Sequence, residues 1–299
     1  MFNSRETMHA PDLSLIDASR HLLIAGPTAS GKSALALAVA QAQGGLIVNA
    51  DALQVWSCWR VLSARPSASD EAAAPHALYG HLTPGRGYSV GEWLREVAAL
   101  MDRRLIVVGG TGLYLGALTR GLAPVPPVPP RIRAQADALL ARQGGLQQML
   151  DGLDPLTRSR IDIRNPARVQ RAWEVLRASN RGLAQWQAET PPPLIGPDQC
   201  QRIVLNADRD WLAERIARRF DAMLREGALD EVRRMLPQWD ARQQWAQAIG
   251  APELTAHLRG QIDLQTATER AVIATRQYAK SQRIWFRGRM KDWQQWQAN

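Results

Sequence analysis

Gly26, Gly31, Lys32 and Ser33 fit the pattern G-x-x-x-x-G-K-[ST], and they stand between an apolar run and an alanine-leucine stretch of helical composition. That is the arrangement by which a chain holds phosphates. The glycines let backbone N–H groups curl around an anion, and the following helix adds the positive end of its dipole. Lys32 reaches terminal phosphate oxygens, and the Ser33 hydroxyl is a ligand type for Mg²⁺. The implied ligand is a diphosphate or triphosphate, with ATP as the default. The loop alone leaves kinase, ATPase and other chemistries open.

A second chemical segment is "NADALQVW" (49–56), which places Asp51 just beyond an apolar run. An acid at the carboxyl end of a strand in an open parallel sheet lies where such folds bind ligands. Asp51 can coordinate metal, cap a helix or act as a general base. Gln54, three residues on, can reach a base edge. The third segment, "VVGGTGLY" (107–114), ends in glycines and Thr111 where many ATPases carry an acid. Hydrolysis assisted by a metal-binding acid at that position is therefore disfavoured. The glycines allow close approach of a ligand, and Thr111 offers a hydroxyl.

Arginines supply the remaining pattern. Arg168 and Arg171 lie three apart, and Arg215 and Arg219 four apart, in stretches of helical composition. Arg276, Lys280, Arg283 and Arg287 alternate with aromatic residues in "ATRQYAKSQRIWFR" (274–287). Such mixing suits phosphate contacts and stacking on RNA bases. A packed helix with a solvated face is the plainer reading.

These residues need a frame. "HLLIAG" (21–26), "GLIVNAD" (45–51), "RLIVVGG" (104–110) and "QRIVLNAD" (201–208) read as four short buried strands. Residues 32–43 and 89–103 read as helices, the second capped by Ser89. Strands alternating with helices predict an α/β fold with a parallel sheet flanked by helices. "APVPPVPP" (123–130) and "TPPPLIGP" (190–197) bracket arginine-rich helical patterns at 131–149, 154–162 and 165–179. The expected division is a flexible extension over 1–20, a P-loop core over 21–127 and 198–299, and an all-helical insertion over 128–197. From Asp210 onward the pattern is mostly helical.

Composition narrows the classes. The 299 residues are 45% hydrophobic, which excludes global disorder. No apolar run approaches the ~20 residues needed to span a bilayer, and the first twenty lack a signal-peptide core. Cys58 and Cys200 make neither a disulfide framework nor a metal cluster, which fits a reducing cytoplasm. The net charge is +9, and only three of the 37 basic residues are lysines. An arginine-dominated excess points to a polyanionic partner, since the planar fork suits phosphate and base edges.

Several motifs then coincide in order: "GPTASGKS", "DALQVW", "PHAL" (75–78), "YS" (88–89), "GGTGLY", "RVQRAWEV", "RIARRFDAM", "IGAPE" (249–253) and "TRQYAKSQRIWFR". Together they resemble the tRNA dimethylallyltransferase family, also called tRNA isopentenyltransferases. The resemblance spans about residues 21–288 and implies a P-loop-type fold with a helical tRNA-binding insertion. It implies transfer of a dimethylallyl group from its diphosphate to the exocyclic amine of the adenosine 3′ of the anticodon. The loop ligand would then be a leaving group rather than ATP. Asp51, Thr111 and Lys32 become the implied catalytic residues, with Asp51 as base. Gly26, Thr28, Ala29, Ser30, Gly31, Lys32, Ser33, Arg219 and Arg276 would hold the diphosphate, with Mg²⁺ on Ser33. Asp51, Ala52, Leu53, Gln54 and Thr111 would meet the adenosine. Arg133, Arg168, Arg171, Lys280, Arg283 and Arg287 would grip the anticodon stem-loop. The implied form is a cytoplasmic monomer. The chain departs from the family pattern at Ala52, Trp56, Ala251 and Ser281. Two other classes remain at this stage: a small-molecule kinase using ATP, and a non-catalytic RNA-binding protein.

Overall fold

A computed structural model describes residues 12–298. The chain divides into two compact units, one of residues up to 119 together with 195 onward, the other of residues 120–194. The first is built on one six-stranded sheet, β1 (His21–Ala25), β2 (Leu46–Asn49), β3 (His76–Ala77), β4 (Leu105–Gly109), β5 (Cys200–Asn206) and β6 (Gln294–Gln297). All pairings are parallel, in the order β3-β2-β4-β1-β5-β6. Every residue of β2 and β4 is buried, as expected for strands covered on both faces. The first unit thus has the P-loop type of α/β fold read from the sequence.

The four predicted strands are the four central ones. The two edge strands carry no strand signal: β3 has two residues, and β6 is "QQWQ", polar and mostly exposed. Polar composition is one way an edge strand avoids pairing with other chains. The last tryptophans of the chain serve packing. Trp293 is buried and Trp296 packs against the sheet core.

Of the extension expected over 1–20, residues 1–11 lie outside the described residues. Residues 12–20 are fastened to the core. Ile16 is buried, the Asp17 N–H donates to Gln201 Oε1 at 2.9 Å, and Gln43 Nε2 donates to the carbonyls of Leu13 and Ile16.

The second unit is all helical and has its own core, in which Ile132, Ala136, Met149, Val169, Ala172 and Trp173 meet. The stretch 123–130 belongs with this unit rather than with the sheet, which moves the boundary from 128 back to 120. The pattern at 131–149 is two helices, Pro130–Leu140 and Gly145–Asp151. Gly144 at φ 74° makes the break, and a Cβ on Gly145 would lie 1.8 Å from the Leu139 carbonyl oxygen. Among the described residues no helix is long and apolar enough to cross a membrane.

Candidate functional site

The chemical residues gather at the carboxyl edge of the sheet. Register does the first part of the work. Ala25 pairs with Gly109 and with Val204, and Asn49 pairs with Val108. Gly26, Gly110 and Asp51 therefore leave neighbouring strands at one level.

The phosphate-loop geometry follows from residue size. A Cβ on Gly26 would stand 2.7 Å from Ser30 Oγ, and Gly31 takes φ 89°. Ala29, at φ 64°, holds a left-handed conformation that a side chain seldom adopts. Gly31 is the N-cap of helix Lys32–Gln43 and gives it no side-chain capping bond. The first N–H groups of that helix thus face the loop's concavity. Ser30 is buried, and its hydroxyl has no hydrogen-bond partner among the described residues. An anion seated in the loop would satisfy both.

Lys32 bends over the loop, and its Nζ donates to the Pro27 carbonyl at 3.3 Å. Burial pushes its ammonium down to about 8, against the pull of Asp51, and Arg219 adds to the depression. Arg219 is itself lowered by burial, again opposed by Asp51. Lys32, Arg219 and Asp51 thus form one charge cluster.

Asp51 is held by the fully buried Asn49. The Asp51 N–H donates to Asn49 Oδ1 at 2.8 Å, while Asn49 Nδ2 donates to the carbonyls of Asp51 and Leu78. One carboxylate oxygen, Oδ1, accepts from the Leu53 N–H at 3.0 Å. The other, Oδ2, would lie 3.6 Å from a Cβ on Gly110. Asp51 therefore caps its turn with one oxygen and keeps the other toward the glycine turn. Burial first, and then the Asp51 charge, push up the hydroxyls of Tyr79, Tyr114 and Tyr278.

The glycine turn is sterically demanded. A Cβ on Gly109 would lie 2.1 Å from the Ala50 carbonyl oxygen. The Thr111 N–H donates to that carbonyl at 3.2 Å, and Thr111 Oγ1 accepts from the Ala52 N–H at 3.0 Å. Thr111 thus locks the β4 turn to the Asp51 loop.

A cleft of about 630 Å³ opens on these groups. Thr28, Asp51, Arg219 and Tyr278 give it polar edges, while Leu53, Leu62, Ile216, Phe220, Met223 and Ile249 make its wall apolar. A second, open groove of about 1360 Å³ lies between helices Arg209–Arg225 and Leu264–Arg289, lined by Arg209, Arg276, Lys280, Arg283 and Arg287.

Two of the expected residues make protein contacts of their own. Arg276, expected with the diphosphate residues, is exposed and lines the basic groove, donating to the Ala213 carbonyl at 3.3 Å. Gln54, expected at a base edge, spends its amide nitrogen on the carbonyls of Ser63 and Ala64, at 2.8 and 3.0 Å. It braces the loop that carries Leu62 and Ser63 into the cleft.

Ser33 is exposed on the first helical turn. Its hydroxyl and the Asp51 carboxylate are oxygen donors suited to a hard cation that takes the rest of its shell from phosphate and water. Among the described residues no group of three His, Cys, Asp or Glu side chains builds a metal cage. Cys58 and Cys200 are free thiols, and burial pushes Cys58 up to about 12.

In the helical unit, Arg133 and Arg168 are exposed on helices Pro130–Leu140 and Pro166–Ser179. Arg171 is near enough to Arg133 for the two charges to interact, and its guanidinium is lowered first by burial.

Four further residues have roles that the sequence did not assign. Arg215 Nε donates to the Ala29 carbonyl at 3.0 Å, supporting the phosphate loop from helix Arg209–Arg225. Gln282 meets that loop from the C-terminal helix. The buried Glu231 accepts three backbone N–H bonds, from Arg60, Val61 and Leu62, all at 2.9 Å. Tyr278 lines the cleft. Only the helical spacing of Arg215 and Arg219 carried any signal.

Comparison with known proteins supports one family. A family model for IPP transferases matches residues 54–289, and one for isopentenyl transferases matches residues 19–74. A tRNA dimethylallyltransferase of Paracoccus denitrificans is 68% identical over 96% of this chain and 97% of its own. One of Dinoroseobacter shibae is 61% identical, again over 96% and 97%. The crystal structure of a tRNA isopentenylpyrophosphate transferase from Bacillus halodurans superposes with a TM-score of 0.65 at 27% identity, covering 94% of this chain and 90% of that one. A eukaryotic dimethylallyltransferase acting on tRNA shares the fold, with a TM-score of 0.79 at 24% identity over 93% of this chain and 74% of its own. The glycine-bracketed loop, the Asp51 turn and the Gly109-Gly110-Thr111 turn on one sheet edge are thus those of a chain that belongs to the tRNA dimethylallyltransferase family.

Proposed function

We propose that this chain transfers a dimethylallyl group from dimethylallyl diphosphate to the exocyclic amine of the adenosine 3′ of a tRNA anticodon. The observation that carries the reading is the cleft, where Thr28 and Ala29 of the phosphate loop, Asp51 and Arg219 meet an apolar wall, with Lys32 in the same charge cluster. An allylic diphosphate is one molecule with both characters. Its diphosphate suits the loop N–H groups, Lys32 and Arg219, and its hydrocarbon suits Leu53, Phe220 and Met223.

An adenine amine is a weak nucleophile because its lone pair is delocalised into the ring. As its nitrogen bonds to the allylic carbon, the carbon–oxygen bond to the diphosphate breaks and an amine proton must leave. Asp51 Oδ2 is the acceptor, while Oδ1 keeps the turn in place. Lys32, Arg219 and the loop amides stabilise the charge that gathers on the departing diphosphate. Ser33 would hold Mg²⁺ beside the diphosphate, where the ion would supply charge neutralisation for the leaving group. Thr111 holds the Asp51 loop against the glycine turn. The adenine leaves its stack to enter the cleft.

Arginines on both units carry the RNA. Arg133, Arg168 and Arg171 present a basic face on the helical unit, and Lys280, Arg283 and Arg287 line the groove of the sheet unit. The same reading implies a monomer working in the cytoplasm. The test is direct. Unmodified tRNA and isotopically labelled dimethylallyl diphosphate are incubated with the protein, and label is expected in tRNA. No transfer to any tRNA of the matching organism overturns the proposal.

A further inference from the structure

The C-terminal helix Leu264–Arg289 has two working faces. Thr275, Tyr278 and Gln282 fall at helical spacing on one side, with Thr275 and Tyr278 lining the cleft. Arg276, Lys280, Arg283 and Arg287 fall on another and line the basic groove. Gln282 is 5% exposed, a long polar side chain inside the protein. Both ends of its amide are committed, to different catalytic segments. Oε1 accepts from the Thr28 N–H at 2.8 Å, and Nε2 donates to the Gly110 carbonyl at 3.0 Å. One turn earlier, the Tyr278 hydroxyl, pushed up first by burial, lies close enough to Thr111 and Gln282 for both side chains to pull it back down. The glycine at 110 is part of the same fit, since a Cβ there would lie 2.1 Å from Gln282 Nε2.

We propose that Gln282 is a positioning residue that sets the distance between the diphosphate loop and the Gly110–Thr111 turn. The inference rests on the proposed transfer reaction. Thr28 and Gly110 come from different strands, and register fixes only the strand ends, not the loops beyond them. A loop of six residues with Ala29 in a left-handed conformation needs an external tie. Gln282 supplies one that acts on Thr28 and Gly110 at once. An amide is required because one atom must accept and the other donate. A carboxylate at the same place could keep the Thr28 bond but would oppose the Gly110 carbonyl.

That asymmetry gives the test. Gln282→Met removes both bonds at similar volume, and Gln282→Glu keeps the acceptor. Wild type and both variants are assayed with tRNA at saturation, reading KM for dimethylallyl diphosphate and kcat, with tRNA affinity and thermal unfolding measured alongside. Gln282→Met is expected to raise KM about tenfold and lower kcat about tenfold while tRNA affinity stays within about twofold. Gln282→Glu is expected to recover kcat relative to wild type by about tenfold between pH 8 and pH 6. Burial raises its carboxyl into that range, and the protonated form donates to Gly110 as the amide did. A Gln282→Met enzyme with wild-type KM and kcat overturns the proposal. So does a Gln282→Glu ratio that does not change with pH, which remains readable if the methionine variant fails to fold. A wild-type protein that transfers no dimethylallyl group overturns the underlying reaction instead.

Discussion

Lys32 carries a pH dependence that can be worked out in advance. Burial lowers its ammonium from 10.5 to about 8, with Asp51 opposing and Arg219 assisting. At pH 7 roughly nine-tenths of the free protein then carries the charge, and at pH 9 roughly one-tenth. If the ammonium is what receives the diphosphate, kcat/KM for dimethylallyl diphosphate is flat below about pH 8 and falls about tenfold per unit above it. Once the diphosphate is bound its charge raises the ammonium again, so kcat at saturation stays nearly level over the same range. Lys32→Arg keeps a charge at all these pH values. Its kcat/KM is lower throughout, because a planar fork does not replace a point charge, and the inflection near 8 disappears. Profiles from about pH 6.5 to 9.5 at saturating tRNA decide the matter. A flat wild-type profile refutes the reasoning. So does an inflection that persists in Lys32→Arg, since it then belongs to the RNA or to another group. The stability sign is opposite. A lysine whose folded value is lowered binds fewer protons folded than unfolded between about pH 8 and 10.5, so the ligand-free protein gains stability as pH rises through that window.

Other perturbations follow from single contacts. Asp51→Asn keeps an oxygen for the Leu53 N–H but removes the proton acceptor; kcat is expected to fall about 100-fold or more, measured by single-turnover transfer, and the unfolding temperature falls too, since Lys32 and Arg219 lose their counter-charge. Glu231→Ala strands three backbone N–H groups, at a cost of about 3 kcal/mol or more in urea unfolding; a loss below about 1 kcal/mol would show that water replaces the carboxylate. Gly109→Ala drives a methyl into the Ala50 carbonyl and is expected to leave little folded protein at 37 °C, read by circular dichroism. Replacing Lys280, Arg283 and Arg287 together by alanine should reduce the slope of log tRNA affinity against log salt by about 2–3, and an unchanged slope would remove the groove from the RNA interface.

The central sheet was legible because burial on both faces writes continuous apolar runs, as in "HLLIA" and "LIVVG". The edge strands were not, because an edge answers to solvent and to its neighbours. "QQWQ" becomes a strand only because β5 offers it a ladder, in which Leu205 pairs with Trp296. The helix over 131–149 broke where a local rule outranked a periodic one: Gly144 favoured a left-handed turn over one more turn of helix. The phosphate loop was legible for a related reason. Its function is performed by backbone, so the residues that permit the backbone path, Gly26 and Gly31, stand in order in the sequence. The Asp51 and Thr111 turns were legible in the same way, each lying at a strand's end.

What holds these loops to one another was written elsewhere in the chain. Gln282 reaches Thr28 across 254 positions, Arg215 reaches Ala29 across 186, and Glu231 reaches Arg60 across 171. Each is a side chain meeting a backbone group, and a backbone group has no residue type to give it away. Gln282 reads in the sequence as one more polar residue among arginines, and Glu231 as one acid on an amphipathic helix. Their partners become visible only when the helices pack. The division bears on Arg276 and Gln54 as well. Spacing puts Arg276 one residue from Thr275, yet that single step turns it about 100° around the helix, from the cleft to the basic groove. Gln54 stands beside Asp51 in the chain, yet two unpaired carbonyls nine and ten positions away take its amide first. A chemical group is therefore predictable from sequence to the extent that its own segment fixes its direction. Asp51 and Lys32 meet that condition, and the residues that aim them do not.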